Sequence, residues 1–329
     1  MYPPTHIIDP DGEVIIVLRN AGSPFARPPE KKSTQKPAVE VEESTADSLA
    51  RSYIRIQASA KHLIFASPVF KKLLTGGWKE SVDYLKMGSV EITADDWDTE
   101  AFLIVLRAVH GQYHDVPRML SLEMLAKVAV ILDYYQCKKA LDLINEIWIK
   151  DLEDKEKITP EISRDLILWL WIAWFFERPA KFNESTLIAI SKSGVLLDNL
   201  GLPIPTSVID SINNRRNYLI QNLIDIVYAT RDAFLHRSKG CGLVCRSIMY
   251  GNLALQMQST SLPLSKPRAP FRTVNYSDLV KKVLAFKSPQ WYHTCNDLLP
   301  HRCKDASFAP SFAGIKDLSK GLNLQDFIS

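Results

Sequence analysis

Between residues 54 and 77 the chain changes its hydrophobic period. Ile54, Ile56 and Ala58 alternate with polar neighbours as a half-buried strand does, and Leu63, Ala66, Phe70 and Leu73 then follow helical spacing. Ser67-Pro68 interrupts the helical run, so the pattern predicts two short helices rather than one. Gly76-Gly77 supplies a left-handed stop after Leu74. Upstream, residues 12–20 read as a strand, with 14–18 apolar on both faces. Residues 1–11 read as an N-terminal tail. Residues 21–50 are rich in Pro, Lys, Glu, Ser and Thr, and bury too little apolar surface to offset their ordering entropy. They predict a disordered insertion between two strands of one hairpin, tolerable because loop-closure entropy grows slowly with length.

A loop is expected at 76–84 and a further strand at 89–93. Asp95 and Asp96 follow as candidate helix-start caps, and Thr99 as the cap of a helix to about His110. Ala101, Phe102, Val105, Leu106 and Val109 give that helix its apolar face. Ser121 begins a second helix with Leu122, Leu125, Val128, Ala129 and Leu132 inward, and a third spans about 138–150. Residues 12–145 thus form an α/β unit with a small sheet and helical hairpins. Beyond residue 150 the strand signals stop. Thr159-Pro160 reads as a helix start, and 166–176 as a buried helix. Ser207 and Asp210 resemble a capping box opening a long helix through Ile212, Leu219, Leu223, Ile226 and Val227. Helices are expected at 246–257 and 276–286, with the Pro-rich 262–270 as a connector. Residues 146–329 are therefore expected to be an all-α C-terminal domain.

Composition narrows the class. At 329 residues and 46% hydrophobic, the chain has length and apolar content for two ordinary domains. A net charge of +3 provides no strong field towards nucleic acid or anionic lipid. The greasiest run, 166–176, falls well short of the ~20 residues that cross a bilayer, so no membrane association is expected. Five cysteines, an odd number without a secretory signal, indicate reduced thiols and an intracellular location, nucleus or cytoplasm.

The blocks HLIFASPVFKKLL, SVEITADDWDTEAFLIVLRAVHG and LSLEMLAKVAVILDYYQCKKAL occur in this order after a strand. In that order they resemble the BTB/POZ domain, in the form abundant in filamentous fungi, over roughly residues 12–145. CGLVCRSIMYGNL, FKSPQWY and GLNLQDF resemble the C-terminal half of such proteins. The resemblance implies a protein-docking fold rather than an enzyme, with its docking face on the paired helices at 61–74, the loop at 76–84 and the helices at 99–145. Ser59 stands where many animal BTB domains have His, and about a dozen residues precede the first strand. The resemblance therefore leaves homodimerisation by strand and helix exchange open.

Trp78-Lys79-Glu80 falls where the apolar-x-Glu motif lies in BTB adaptors of cullin scaffolds. Trp78 would anchor in a pocket while Glu80 orients the partner, or the pair is an ordinary loop Trp and a solvated acid. Cys241-x3-Cys245 and His301-x-Cys303 together offer a tetrahedral zinc set, with His236, His293 and Cys295 as spares. Against zinc stand the absence of a C-x2-C knuckle and the frequent burial of free cysteine. His110 and His114, four apart, read as a helix end with His110 complementing the terminal dipole. Arg215 and Arg216 in Asn213-Asn214-Arg215-Arg216-Asn217 read as a solvated basic face, making nucleic-acid binding an unfavoured alternative. Trp169, Trp171, Trp174, Phe175 and Phe176 could line a ligand groove, but in an unbroken apolar helix they read as core or as the seam between the two halves. No phosphate loop, nucleophile elbow or H-E-x-x-H sequence is present, and no catalytic residue is assigned. The expectation is a non-enzymatic interaction protein. Its alternatives are a substrate adaptor of a cullin-based ubiquitin ligase and a nuclear transcription-linked regulator.

Overall fold

A computed structural model describes residues 3–27, 53–260, 262–292 and 299–328. Among them are twelve α-helices and one four-stranded mixed sheet. Among the described residues no helix is long and apolar enough to cross a membrane. The chain divides into two compact units: 1–159, 163–178 and 199–203 form the first, and 160–162, 179–198 and 204–329 the second.

The sheet of the first unit contains β1 (His6–Ile7), β2 (Val14–Arg19), β3 (Ile54–Ala58) and β4 (Val90–Asp95), in the order β1-β3-β2-β4. β2 runs antiparallel to β3 and parallel to β4, with Ile16 paired to Ile56 on one side and Ile92 on the other. Flanked on both edges, β2 buries Val14, Ile16, Val17 and Leu18, which explains its unalternating apolar run. β4 alternates strictly, with Val90, Ile92 and Ala94 inward.

The expected N-terminal tail is not a tail. Residues 6–7 pair parallel with β3, and the hydrogen bonds Thr5 N to Arg55 O (2.8 Å) and Ile8 N to Gln57 O (2.9 Å) extend the register. Two residues are too few for a legible alternation. The hairpin pairing of β2 and β3 is as expected, whereas most of the expected insertion, from residue 28 onward, lies outside the described residues.

After β3 come α1 (Ala60–Ala66) and α2 (Pro68–Thr75). Ser67 is extended at φ −134°, its hydroxyl accepts from Phe70 N at 3.1 Å, and Pro68 occupies the first helical position, where its missing N–H costs nothing. Gly77, at φ +81°, makes the left-handed turn the sequence required. The expected loop at 76–84 is instead largely helical: α3 spans Lys79–Met87 and closes on Gly88 in the left-handed conformation. Ser81 is the one residue of α3 that is buried, and its apolar residues Val82, Leu85 and Met87 are exposed rather than turned to a core.

α4 (Thr99–Val109) is capped by Asp98, whose carboxylate accepts from Ala101 N at 3.1 Å, not by Thr99. Asp95 and Asp96 are not caps either. Asp95 pairs with Arg19 at 2.7 Å across β2 and β4, and Asp96 accepts from the Ser23 hydroxyl at 3.2 Å. α5 (Leu122–Tyr134) starts at Ser121 as expected. A short 3-10 turn (Lys138–Leu141) leads into α6 (Asp142–Lys155), so the expected boundary after residue 145 falls inside a helix.

Thr159-Pro160 does not start a helix. α7 (Arg164–Phe175) begins at Ser163, whose hydroxyl accepts from Leu166 N at 3.2 Å while Asp165 complements the N-terminus. α7 packs on α5 within the first unit, and Trp171 Nε1 donates to Ala126 O at 3.2 Å. Trp169, Trp171 and Phe176 are buried, whereas Trp174 and Phe175 are half-buried.

The second unit is helical. α8 (Pro179–Lys192), α10 (Leu243–Ser259) and α11 (Tyr276–Leu284) pack on α9 (Thr206–Leu235), a helix about 45 Å long, and α12 (Ala309–Phe312) is a single turn. α9 begins at Thr206 behind Pro205, which places Ser207 inside the helix rather than at its cap. The final GLNLQDF segment docks on α8. Leu322 N donates to Thr186 Oγ1 at 2.8 Å, and Leu324 is buried. Gly321 passes so close to Asn183 O that a Cβ there would stand 2.1 Å from it.

Candidate functional site

Trp78 sits at the N-cap of α3, where its carbonyl accepts from Val82 N at 3.0 Å and Ser81 Oγ at 2.8 Å. The backbone is therefore fixed while the indole stays free, at 57% exposure. Glu80, in the first turn of α3, shares an open cavity of about 730 Å³ with Trp78, Phe70, Leu73, Tyr134 and Tyr135. Tyr135 forms the floor. It stacks on Phe70 with ring centroids 4.4 Å apart, and burial pushes its phenol well above the usual range. Tyr134 remains 60% exposed. Trp78 and Glu80, the two candidates the sequence offers, thus line one groove together with Tyr134 and Tyr135, which carry no motif. Their only signal was a Tyr-Tyr pair at the end of an apolar helix.

In the second unit the chain gathers Cys241, Cys245, His301 and Cys303, with all four ligand atoms within 4.8 Å of one another. Cys245 lies in the first turn of α10, and Cys241 immediately precedes its N-cap Gly242. Gly240, at φ +92°, turns the chain back so that the Cys241 thiol reaches the 301–305 segment. Gly240 N donates to Asp305 Oδ2 at 2.8 Å, tying the two stretches together. Cys245 Sγ stands 3.8 Å from Cys303 Sγ, and Cys241 Sγ stands 3.4 Å from His301 Nε2. Trp291 stacks on the His301 imidazole at 4.6 Å and accepts from His301 N at 2.7 Å through its carbonyl.

Burial, with the hydrogen bond and charge of Cys303 behind it, pushes the Cys245 thiol up to about 11. Burial also resists ionisation of Cys303, but hydrogen bonds from the Asp305 backbone and from Cys245 outweigh it and lower that thiol. Of the spare candidates, His236 is exposed at the end of α9, while His293 and Cys295 lie outside the described residues. Cys137 is buried in the first unit, and burial pushes its thiol up to about 12, which makes it a poor nucleophile.

The remaining candidates are structural. His110 closes α4, but not as a cation: its Nδ1 meets Leu106 O at 2.7 Å and its Nε2 accepts from Ser59 N at 3.0 Å, which fixes the neutral Nδ1-H tautomer. Burial lowers its pKa. His114 is exposed beside Asp115 and shares no site with it. Arg215 is solvated as expected, with its guanidinium over Tyr218 at 6.0 Å. Arg216 is not: it is 0% exposed and donates to Ser193 O (2.9 Å), Phe271 O (2.6 Å) and Val274 O (2.8 Å). Helical spacing sets Arg216 on the same inward face as Ile212 and Ile220, whereas its carbonyl partners come from distant segments that local sequence does not identify. No family model matches the chain, and no curated protein matches it.

Proposed function

We propose that this chain is a non-enzymatic protein-interaction protein that docks partners through a BTB/POZ-like first unit. The observation that carries the reading is the groove at α3. A half-exposed indole, anchored at its backbone, lines it together with Tyr134 and Glu80, while Leu85 and Met87 on the same helix are 78% and 74% exposed. Apolar side chains of that size held in water on an ordered helix mark a binding surface. An aromatic anchor beside a carboxylate supplies both the buried area and the orientation that hot spots need. The element order supports the same reading: a β2-β3 hairpin, paired short helices, then β4 and the α4 and α5 helices, in the succession that the BTB resemblance implies.

The sharper form is an adaptor for a cullin scaffold, favoured because Trp78 and Glu80 of the apolar-x-Glu pattern line one groove. It is tested by titrating the full chain against a purified cullin N-terminal region. Trp78→Ala and Glu80→Ala are each expected to weaken binding about tenfold or more, the scale of a hot-spot truncation. No binding by the wild type, or binding by both variants as tight as the wild type's, rejects the cullin form. The broader docking reading is tested by affinity capture with the wild type and the Trp78→Ala, Leu85→Ala double variant. An identical set of captured proteins rejects the α3 groove as the docking surface.

A further inference from the structure

The Cys/His cluster lies in the second unit and takes no part in the docking reading. We infer that Cys241, Cys245, His301 and Cys303 form a closed tetrahedral site for a structural zinc ion. In a tetrahedron with Zn–S near 2.3 Å and Zn–N near 2.0 Å, two sulfurs stand about 3.8 Å apart and a sulfur and a nitrogen about 3.5 Å. The separations in this chain, 3.8 Å for Cys245–Cys303 and 3.4 Å for Cys241–His301, match those edges. The widest pair, within 4.8 Å, closes on an ion with about 1 Å of side-chain movement.

Neither a disulfide nor simple burial accounts for all four groups. A Cys245–Cys303 disulfide would need the sulfurs at about 2.05 Å, and it would give no reason for Cys241 and His301 to converge on the same point. Hydrophobic burial accounts for Cys245 but not for Cys241, which is exposed. Three thiolates and an imidazole are soft donors that select zinc over calcium or magnesium.

Binding displaces the protons still held by the three thiols to solvent and leaves a complex of net charge −1, without any change in oxidation state. That charge sits at the N-terminus of α10, where the helix dipole favours it. Four protein ligands leave no open position for substrate or water, so the site is structural rather than catalytic. Its mechanical role follows from the local fold. Between 299 and 308 the described chain has no helix or strand, and α12 is one turn. The metal would hold this irregular segment against the start of α10, across a span of about 60 residues.

The test uses the full chain, purified under reducing conditions, loaded with zinc and dialysed. Elemental analysis is expected to return one zinc per chain. Cobalt substitution is expected to give tetrahedral d–d bands together with thiolate-to-metal charge transfer. Cys245→Ser and Cys303→Ser should lose the stoichiometric metal. His301→Cys should keep it and gain charge-transfer intensity from a fourth thiolate, which guards against a variant that merely misfolds. Far less than one equivalent on the reduced wild-type chain, or full retention of metal and spectrum by Cys303→Ser, would overturn the assignment.

Discussion

Ser67 Oγ donates a 2.6 Å hydrogen bond to the carbonyl oxygen of Tyr135 and, through the same atom, accepts from Phe70 N. One buried hydroxyl therefore starts α2 and fastens the break between α1 and α2 to the end of α5, 68 residues away. The bond also sets the position of Tyr135, whose ring stacks on Phe70 beneath the groove.

Ser67→Ala removes a helix cap, worth about 1 kcal/mol, and strands a buried carbonyl, worth a further 1–3 kcal/mol or so. A loss of about 3 kcal/mol is expected in urea unfolding followed by tryptophan fluorescence. A change below about 0.5 kcal/mol, the range of an ordinary surface substitution, would show that neither bond matters.

Arg215 and Arg216 are neighbours with opposite fates. Arg215→Ala should change stability by no more than about 0.5 kcal/mol, since its side chain lies on the surface. Arg216→Met leaves the carbonyls of Ser193, Phe271 and Val274 without their donor, and should cost about 3 kcal/mol or more. Arg216→Lys should recover little, because an ammonium lacks the planar fork that reaches carbonyls on separate segments. Equal unfolding midpoints for Arg215→Ala and Arg216→Met would refute this account.

What could be seen in the sequence was what local pattern decides. The α1–α2 break was legible because Ser-Pro interrupts a helical period, and β4 because its alternation is strict. α3 was not, since the Gly76-Gly77 stop directly ahead of it reads as the start of a loop and the helix is only nine residues long. The cluster at Cys241, Cys245, His301 and Cys303 was legible as donor types, although the spacing of each pair is unusual for zinc. Its convergence depends on how α10 and the 301–305 segment pack, which spacing does not encode. Arg216 stands at the far end of this scale. Its partners lie up to 58 residues away; the period that puts Arg216 in line with Ile212 and Ile220 places it on the inward face of the helix but does not name the carbonyls it meets there.

His110 should impose a pH dependence on the first unit. Its ring is held neutral, with Nδ1 on Leu106 O and Nε2 accepting from Ser59 N, and it stacks on His62 at 4.9 Å. Burial lowers its folded pKa below 6.5 with the His62 charge acting in the same direction, and outweighs the opposing hydrogen bond to the Leu106 carbonyl and the smaller effects of Asp9 and the Ser59 backbone. The unfolded chain therefore binds a proton more readily than the folded one once the pH falls below about 6.5. The contribution of His110 is thus complete at neutral pH, shrinks as the pH drops through the unfolded value, and levels off below the folded one. His110→Gln has no proton to gain, so its stability should fall less steeply than that of the wild type between about pH 7.5 and 5.5, even if it starts lower. Urea midpoints at several pH values would measure both slopes. Parallel curves for the two proteins would mean that His110 is not the group that titrates.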